Sequence, residues 1–206
     1  MIQAPKIVST IGAYFNRFIN VGIRQILIFS SFLFLLNTVL GQSSTLFDSD
    51  EIITLNLRGD FRKLFKDRGE DSQYHSATLR YKADLHTIDH PIKIKTRGHF
   101  RKMSSNCKYP PLFLNFKKSA IPKNSLFQGQ DKMKLVTPCR GEKYVVYEYL
   151  VYKLYNLITP KSFRARLTKV IFQDTLRNKS SIPYYGILLE EEKQMARRNR
   201  SNPLKK

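Results

Sequence analysis

The stretch Glu142–Ile158, with the sequence EKYVVYEYLVYKLYNLI, predicts the one long helix of the chain. Its apolar side chains recur at intervals of three and four residues, which is the period of a helix with one buried face. Pro160 follows, and because a proline disfavours helical backbone at the preceding residue, the helix should end near Ile158. We expect this helix to pack through one apolar face on the rest of the domain. The residues of this predicted face are Tyr144, Tyr147, Val151, Leu154, Tyr155 and Ile158.

Segments on both sides of this helix alternate apolar and polar residues with the period of a β-strand. These predicted strands cover residues 53–58, 77–84, 92–97, 112–117, 132–136, 164–173 and 183–189. A short helix that begins at Asp60 and ends before Gly69 follows the first of them. The sum is an α+β domain over residues 51–190, in which an antiparallel sheet has the one long helix packed across it.

The composition is that of a globular protein with an unusual positive charge. The 206 residues include 42% hydrophobic and 25% charged residues, which excludes a wholly disordered or collagen-like chain. The 36 Lys and Arg residues outnumber the 16 Asp and Glu residues, so the formal net charge is +20. A field of this size attracts polyanions and anionic membrane surfaces.

Residues 1–41 have the pattern of a secretory signal peptide. They contain Lys6, Arg17 and Arg24, no acidic residue, and an apolar run over residues 26–40 that ends ahead of Gln42. An N-terminal membrane anchor is the alternative, and an internal core helix is a third interpretation. We expect residues 42–50 to be a linker, residues 191–206 to be a basic tail, and the protein to be secreted or held in the periplasm or cell envelope.

Four short motifs occur in order around the long helix. They are KIKTRG at 93–98, PLFLNFKK at 111–118, KMKLV at 132–136 and YYGILLE at 184–190, and the helix lies between the last two. Over residues 90–192 this order resembles the N-terminal half of the CotH spore-coat kinase family. The resemblance implies a fold like the small lobe of an atypical protein kinase.

The resemblance also implies a nucleotide site made by Arg97, Lys117, Glu148 and Glu190. In that family arrangement Lys117 would offer its ammonium group to the phosphates, Glu148 would hold Lys117 in position, and Glu190 would stand where the sheet leads to a second lobe. The alternation in 112–117 leaves another interpretation open, because Lys117 is simply solvated if Leu112, Leu114 and Phe116 face the core.

Catalysis by this chain alone is not expected. Phosphoryl transfer needs carboxylates for Mg²⁺ and a residue that orients the nucleophile, and the 14 residues after Glu192 contain no Asp or Glu. ATP and Mg²⁺ would therefore be cofactors only if a missing C-terminal lobe or a partner chain supplied the rest. The expected function is weak binding of a nucleotide or a phosphate-bearing ligand without catalysis.

A non-enzymatic envelope protein is the alternative function. Cations on two neighbouring predicted strands would bind an anionic polymer or membrane surface, and export argues against chromosomal DNA as the partner. These cations are Arg80, Lys82, Lys93 and Lys95. We expect no metal site, because His86 and His90 with Asp84 and Asp89 are more typical of a solvated turn. Cys107 and Cys139 form either a disulfide or two separate buried thiols.

Overall fold

The computed structural model of the protein describes residues 46–83 and 85–203, and these residues are mostly β-structure. The predicted signal peptide over residues 1–41, the first residues of the predicted linker and the end of the predicted tail lie outside the described residues. The described strands are β1 (Ile53–Gly59), β2 (His75–Ala83), β3 (His86–Thr96), β4 (Leu112–Phe116), β5 (Lys132–Val136), β6 (Ala165–Asp174), β7 (Lys179–Ser180) and β8 (Tyr184–Leu189). The described helices are α1 (Phe61–Lys66), α2 (Glu142–Ile158) and α3 (Glu192–Arg198).

Seven of these strands form a closed barrel. Neighbouring strands follow the order β1-β2-β3-β4-β5-β8-β6, with antiparallel pairing throughout this series. The barrel closes because β6 also pairs in parallel with β1, from Ile53 opposite Thr168 to Gly59 opposite Asp174. The short strand β7 extends the end of β6 as a small hairpin. The sheet is therefore mixed and has no open edge between β1 and β6.

The predicted fold class is wrong. We expected an α+β domain with a kinase small-lobe-like antiparallel sheet and one long helix packed across it, whereas the structure is a closed, mostly β barrel. The physical reason is the parallel pairing of β1 with β6, which wraps the sheet around its own apolar face. The main core is therefore filled from inside by strand residues such as Leu57, Leu79 and Leu135, all fully buried.

One end of this core is filled by the segment between β4 and β5. Phe127 is fully buried, and its ring stacks on Phe116 with 5.4 Å between the centroids. Ser125 lies beside it and hydrogen-bonds the buried His90, with 2.7 Å between Oγ and Nε2. His90 therefore belongs to the interior of the barrel and not to a solvated turn, and burial holds the pKa of its imidazole below the usual value.

The helix α2 has the predicted limits but packs through a different face. Val145 and Tyr149 are its buried residues, and they contact a second, smaller cluster formed by the strands. Polar contacts hold this side of the helix against the barrel, since Glu142 accepts a 2.7 Å hydrogen bond from the backbone N–H of Tyr185 and Asn156 donates a 2.8 Å bond to the carbonyl of Phe163. All six residues of the predicted apolar face are more than half exposed.

The chain after β8 is ordered into a helix over part of the predicted basic tail. α3 begins after Glu191, whose side chain accepts a 2.8 Å bond from the backbone N–H of Lys193. Arg198 at its end forms an ion pair with the buried Glu190, with 2.9 Å between Nη2 and Oε2. Within residues 46–83 and 85–203, no helix combines the length and the apolar character that a membrane span requires.

Candidate anion-binding site

A cavity of about 330 Å³ opens where the chain leaves β3 and passes the side of α2. The segment 97–101 forms one wall, the ends of β5 and β8 form the floor, and α2 forms the opposite wall. We call this space the Arg97 cavity. Its lining comprises Arg97, Gly98, His99, Phe100, Arg101, Pro111, Lys134, Val136, Glu148, Tyr152, Phe163, Leu189 and Glu190.

Arg97 is the first cation of this cavity. Its backbone N–H donates a 2.9 Å bond to the carbonyl of Pro111, and Gly98 then turns the chain with a φ of 90°. The guanidinium lies over the ring of Phe113, 5.0 Å from its centroid. The Nε–H group is buried and has no hydrogen-bond partner. Burial lowers the pKa of Arg97, which nevertheless keeps its charge at neutral pH.

Arg101 is the second cation, on a single 3₁₀ turn over Phe100–Lys102. Its Nη1 lies 3.2 Å from Oε2 of Glu148 on α2, and its Nη2 donates a 2.6 Å bond to the carbonyl of Thr137. Its Nε–H group, like that of Arg97, is buried without a hydrogen-bond partner. The same cavity is therefore lined by two guanidinium groups that each retain an unsatisfied donor.

Lys134 on β5 is the third cation. Its side chain is only 11% exposed, its Nζ lies 2.8 Å from Oε1 of Glu192, and it also lies over the ring of Phe163 at 4.9 Å from the centroid. This ammonium group is held in place by an acid from α3 and by an aromatic ring. It adds positive charge to the floor of the cavity.

The two carboxylates of the cavity are both engaged by arginines. Glu148 is paired with Arg101, and the side chain of Glu190 is 2% exposed and paired with Arg198. Glu190 also accepts a 3.1 Å bond from the backbone N–H of Arg164. These contacts compensate the burial of the Glu190 carboxylate at the end of β8. The lining contains three Lys or Arg residues and two Glu residues, so the cavity has excess positive charge.

Three of the four predicted nucleotide-site residues surround this one cavity. Arg97, Glu148 and Glu190 all line it, whereas Lys117 is exposed on the outside of the barrel. Lys117 lies outside because Leu114 and Phe116 are buried in the core, so the alternation directs the next residue away. This is the solvated arrangement that the alternation left open.

Sequence reasoning missed Arg101 and Lys134. The motif KMKLV predicted that Lys134 lies on a strand. The sequence pattern alone did not indicate which of its two lysines, Lys132 or Lys134, is buried. In the structure Lys134 is buried and Lys132 is exposed. No local pattern connected Arg101 with Arg97 or with Glu148, because the segment between Arg97 and Arg101 is not a regular helix.

A second, shallower groove crosses the outside of β1 to β4. It encloses about 850 Å³, and its cations are Arg58, Lys93 and Lys117, with no acidic residue in its lining. The Nε–H group of Arg58 is buried without a hydrogen-bond partner. We call this region the strand groove.

The other predicted surface cations differ from one another in their partners. Arg80 forms two 2.7 Å hydrogen bonds with Asp89, which raise the pKa of Arg80. Lys95 lies over the ring of Tyr74, and Lys82 is exposed. In the register of β2 and β3, Arg80, Lys82, Lys93 and Lys95 share the outer face of these two strands. Of the four, Lys93 also lines the strand groove.

Cys107 and Cys139 are joined by a disulfide with a Cα–Cα distance of 4.7 Å, which is within the normal range. The bond connects the chain after Arg101 to the residues just before α2. It therefore fastens two walls of the Arg97 cavity to each other.

The donor groups of the cavity fit phosphate better than a metal ion. Guanidinium N–H groups match the oxygens of a phosphate, and two such donors lack partners. In the part of the chain that the structure describes, no group of three His, Cys, Asp or Glu residues is placed to hold a metal.

No protein-family model matches the chain, and no curated protein sequence matches it either. Membership of the CotH family therefore stays a prediction that rests on the four ordered motifs.

Proposed function

We propose that the protein binds a phosphate-bearing ligand, such as a nucleotide, in the Arg97 cavity. The observation that carries this proposal is the buried Nε–H group of Arg97, which has no partner in the protein. Leaving a buried donor unsatisfied costs about 1–3 kcal/mol, and more for a charged group. A phosphate in the cavity would neutralise the charge of the guanidinium, and a small movement of the side chain would bring the Nε–H group, which has almost no exposed surface, to a phosphate oxygen.

The walls of the cavity support a ligand larger than phosphate alone. Tyr152 and Phe163 provide rings, and Val136 and Leu189 provide aliphatic surface. A volume of about 330 Å³ is at the lower end of the range for small-molecule sites. This combination of apolar walls and a few fixed cations suits an organic phosphate.

The proposed function is binding without phosphoryl transfer by this chain alone. Transfer requires carboxylates that hold Mg²⁺ and orient a nucleophile. Glu148 and Glu190 are the acids of the cavity, and both are engaged by arginines. They serve to position Arg101 and to hold α3 in place.

Calorimetric titration with ATP, and separately with inorganic phosphate, tests the proposal. The variant Arg97→Met removes the guanidinium, and Lys117→Met is the control because it removes the same charge outside the cavity. We expect Arg97→Met to weaken ATP binding at least about tenfold, since a charge-assisted hydrogen bond contributes about 1.5–3 kcal/mol. Lys117→Met should leave binding nearly unchanged.

Two outcomes would overturn this proposal. Equal weakening by the two variants would mean that ATP follows the net charge of the protein. A loss in Lys117→Met with none in Arg97→Met would favour the site that the CotH resemblance implies. Equal affinity for ATP and inorganic phosphate would narrow the ligand class to the phosphate group itself.

A second candidate function is binding of an anionic polymer along the strand groove. The observation that favours it is a lining with Arg58, Lys93 and Lys117 and no acidic residue. The probe is dextran sulfate, and the double variant Lys93→Gln/Lys117→Gln should weaken its binding more than the double variant Lys63→Gln/Lys66→Gln on α1. Equal weakening would show a nonspecific charge effect.

The site of action that we propose is outside the cytoplasm. The support is the pattern of residues 1–41, with basic residues before an apolar run. N-terminal sequencing of the protein purified from its own cells tests this, because cleavage should leave Gln42 as the first residue. An intact N-terminus in the membrane fraction would favour the anchor instead.

A further inference from the structure

The side of α2 that points away from the barrel is almost entirely apolar. We call it the outward face of α2, and its exposure ranges from 52% for Tyr144 to 86% for Leu157. With 100° between successive residues, the eight side chains cover an arc of about 160° of the helix circumference, and in this arc only Lys143, in the first turn, is polar. They are Tyr144, Tyr147, Leu150, Val151, Leu154, Tyr155, Leu157 and Ile158.

Soluble monomers rarely expose a contiguous apolar patch of this extent unless it binds something. The usual arrangement of a surface helix is reversed here, because the polar side chains Glu142, Glu148 and Asn156 face the protein and make hydrogen bonds there. Val145 and Tyr149, on the opposite side of α2, are buried, and their packing fixes which side of the helix points outward. The apolar face is therefore a feature of the folded domain.

The charges around the outward face are positive. Lys143 is exposed and lies over the ring of Tyr144, 5.2 Å from its centroid. Arg140 before the helix and Lys161 after it are exposed as well. The two acids of the helix, Glu142 and Glu148, are both turned towards the barrel and engaged there.

We propose that the outward face of α2 binds the surface of a bilayer that contains anionic phospholipids, with the helix parallel to the membrane plane. An apolar helix face with flanking lysines and arginines enters the boundary between headgroups and acyl chains, and tyrosines favour the headgroup level. The net charge of +20 attracts such a surface and repels a second copy of the chain. This interaction is independent of the Arg97 cavity and would place the cavity near a membrane.

A single tryptophan reports this contact, because the chain contains no tryptophan. The variant Leu154→Trp places the reporter on the outward face, and Leu176→Trp is the control at a residue that is 75% exposed between β6 and β7. The full chain is mixed with vesicles of phosphatidylcholine and phosphatidylglycerol. We expect a blue shift of the emission and quenching by brominated acyl chains for Leu154→Trp only.

Because acyl-chain quenching reports the depth of the labelled side chain, an N-terminal anchor would not produce this result by itself. Adding Leu150→Asp to Leu154→Trp should weaken the response at least about tenfold, since one leucine fewer enters the bilayer. Vesicles of phosphatidylcholine alone should give a weaker response.

The proposal is overturned if Leu154→Trp shows no lipid quenching, or if both reporters are quenched equally. A concentration-dependent dimer in sedimentation, with a blue shift that needs no vesicles, would also overturn it and would assign the face to a second copy of the chain. Circular dichroism of each variant checks that the fold is kept, and the exposure of Leu154 and Leu176 makes both substitutions tolerable.

Discussion

The interior of the barrel and the outward face of α2 are built from the same kinds of side chain, but only the interior is covered. In the barrel, inward-facing residues such as Leu57, Leu114 and Phe116 are nearly or completely buried against one another. On α2, eight apolar residues stay more than half exposed, and the helix is held by a small cluster and by polar contacts. This comparison shows that the spacing of apolar residues predicts which residues share one face of an element. It does not predict what that face packs against.

The largest expected effect on stability belongs to the barrel interior. Phe127→Ala should lower the free energy of unfolding by about 3–5 kcal/mol, because it opens a cavity next to Phe116 and Tyr81. Urea unfolding measures this loss. The matched control is Leu85→Ala at a residue that is 97% exposed, and a comparable loss there would contradict the packing described above.

The next largest loss of stability is expected when the disulfide near the start of α2 is removed. Replacing both cysteines in Cys107→Ala/Cys139→Ala should lower the free energy of unfolding by about 3–4 kcal/mol, according to the chain-entropy estimate for a loop of this length. Hydrogen exchange should show a larger loss of protection in α2 than in β2 and β3. An equal loss of hydrogen-exchange protection in α2 and in β2 and β3 would contradict a local role of the disulfide in holding α2.

The buried side of α2 should contribute less than the barrel interior. Val145→Ala removes two methyl groups from the small cluster, and we expect a loss of about 1–2 kcal/mol in the free energy of unfolding. Val151→Ala, at an exposed residue of the same helix, is the control. If Val151→Ala costs as much as Val145→Ala, the helix is covered on its outward face in solution.

Lowering the pH should decrease the free energy of unfolding through protonation of His90. Burial lowers the pKa of His90, so the unfolded chain, with an ordinary imidazole pKa of about 6.5, binds the proton more tightly. The stabilising contribution is present above about pH 6.5 and is lost as the pH falls through the lower value of the folded state. His90→Gln should flatten this part of the pH profile of unfolding, whereas Leu85→Ala, at a non-titrating residue that is 97% exposed, should leave the shape of the profile unchanged.

The smallest effect is expected on the outward face of α2. Leu154→Ala should change the free energy of unfolding by less than about 0.5 kcal/mol, because the side chain is 58% exposed in the folded protein. Unfolding is measured at two protein concentrations. A loss of 2 kcal/mol or more, as is typical of a buried leucine, would show that the face is covered by another molecule under the conditions used.

The elements of the fold were largely predictable, but the way they assemble was not. Pro160 and the helical period gave α2 its correct limits, and the strand over Lys132–Val136 is also as predicted. The closure of the barrel depends on pairs such as Ile53 with Thr168, which are far apart in the chain. No local pattern contains that pairing, so the predicted antiparallel sheet with one long helix packed across it was wrong.

Some residues of the candidate site were also predictable from the sequence, whereas others depended on tertiary contacts. Arg97, Glu148 and Glu190 were predicted from ordered motifs, and the structure brings them around one cavity. Lys134 was missed because whether a strand residue is buried or exposed depends on what covers it, and α3 and Phe163 supply that cover. Lys117 was preferred by resemblance, although it lies on the outside of the barrel.

The amino-acid sequence by itself determined the positive charge, the limits of α2 and the positions of most strands, since these depend on composition and on intervals of two to four residues. Only the tertiary structure decided that the sheet closes, which side of α2 is buried, and which cations meet in one cavity. Those outcomes depend on contacts between distant parts of the chain, where burial and hydrogen bonds from several elements act on the same side chain.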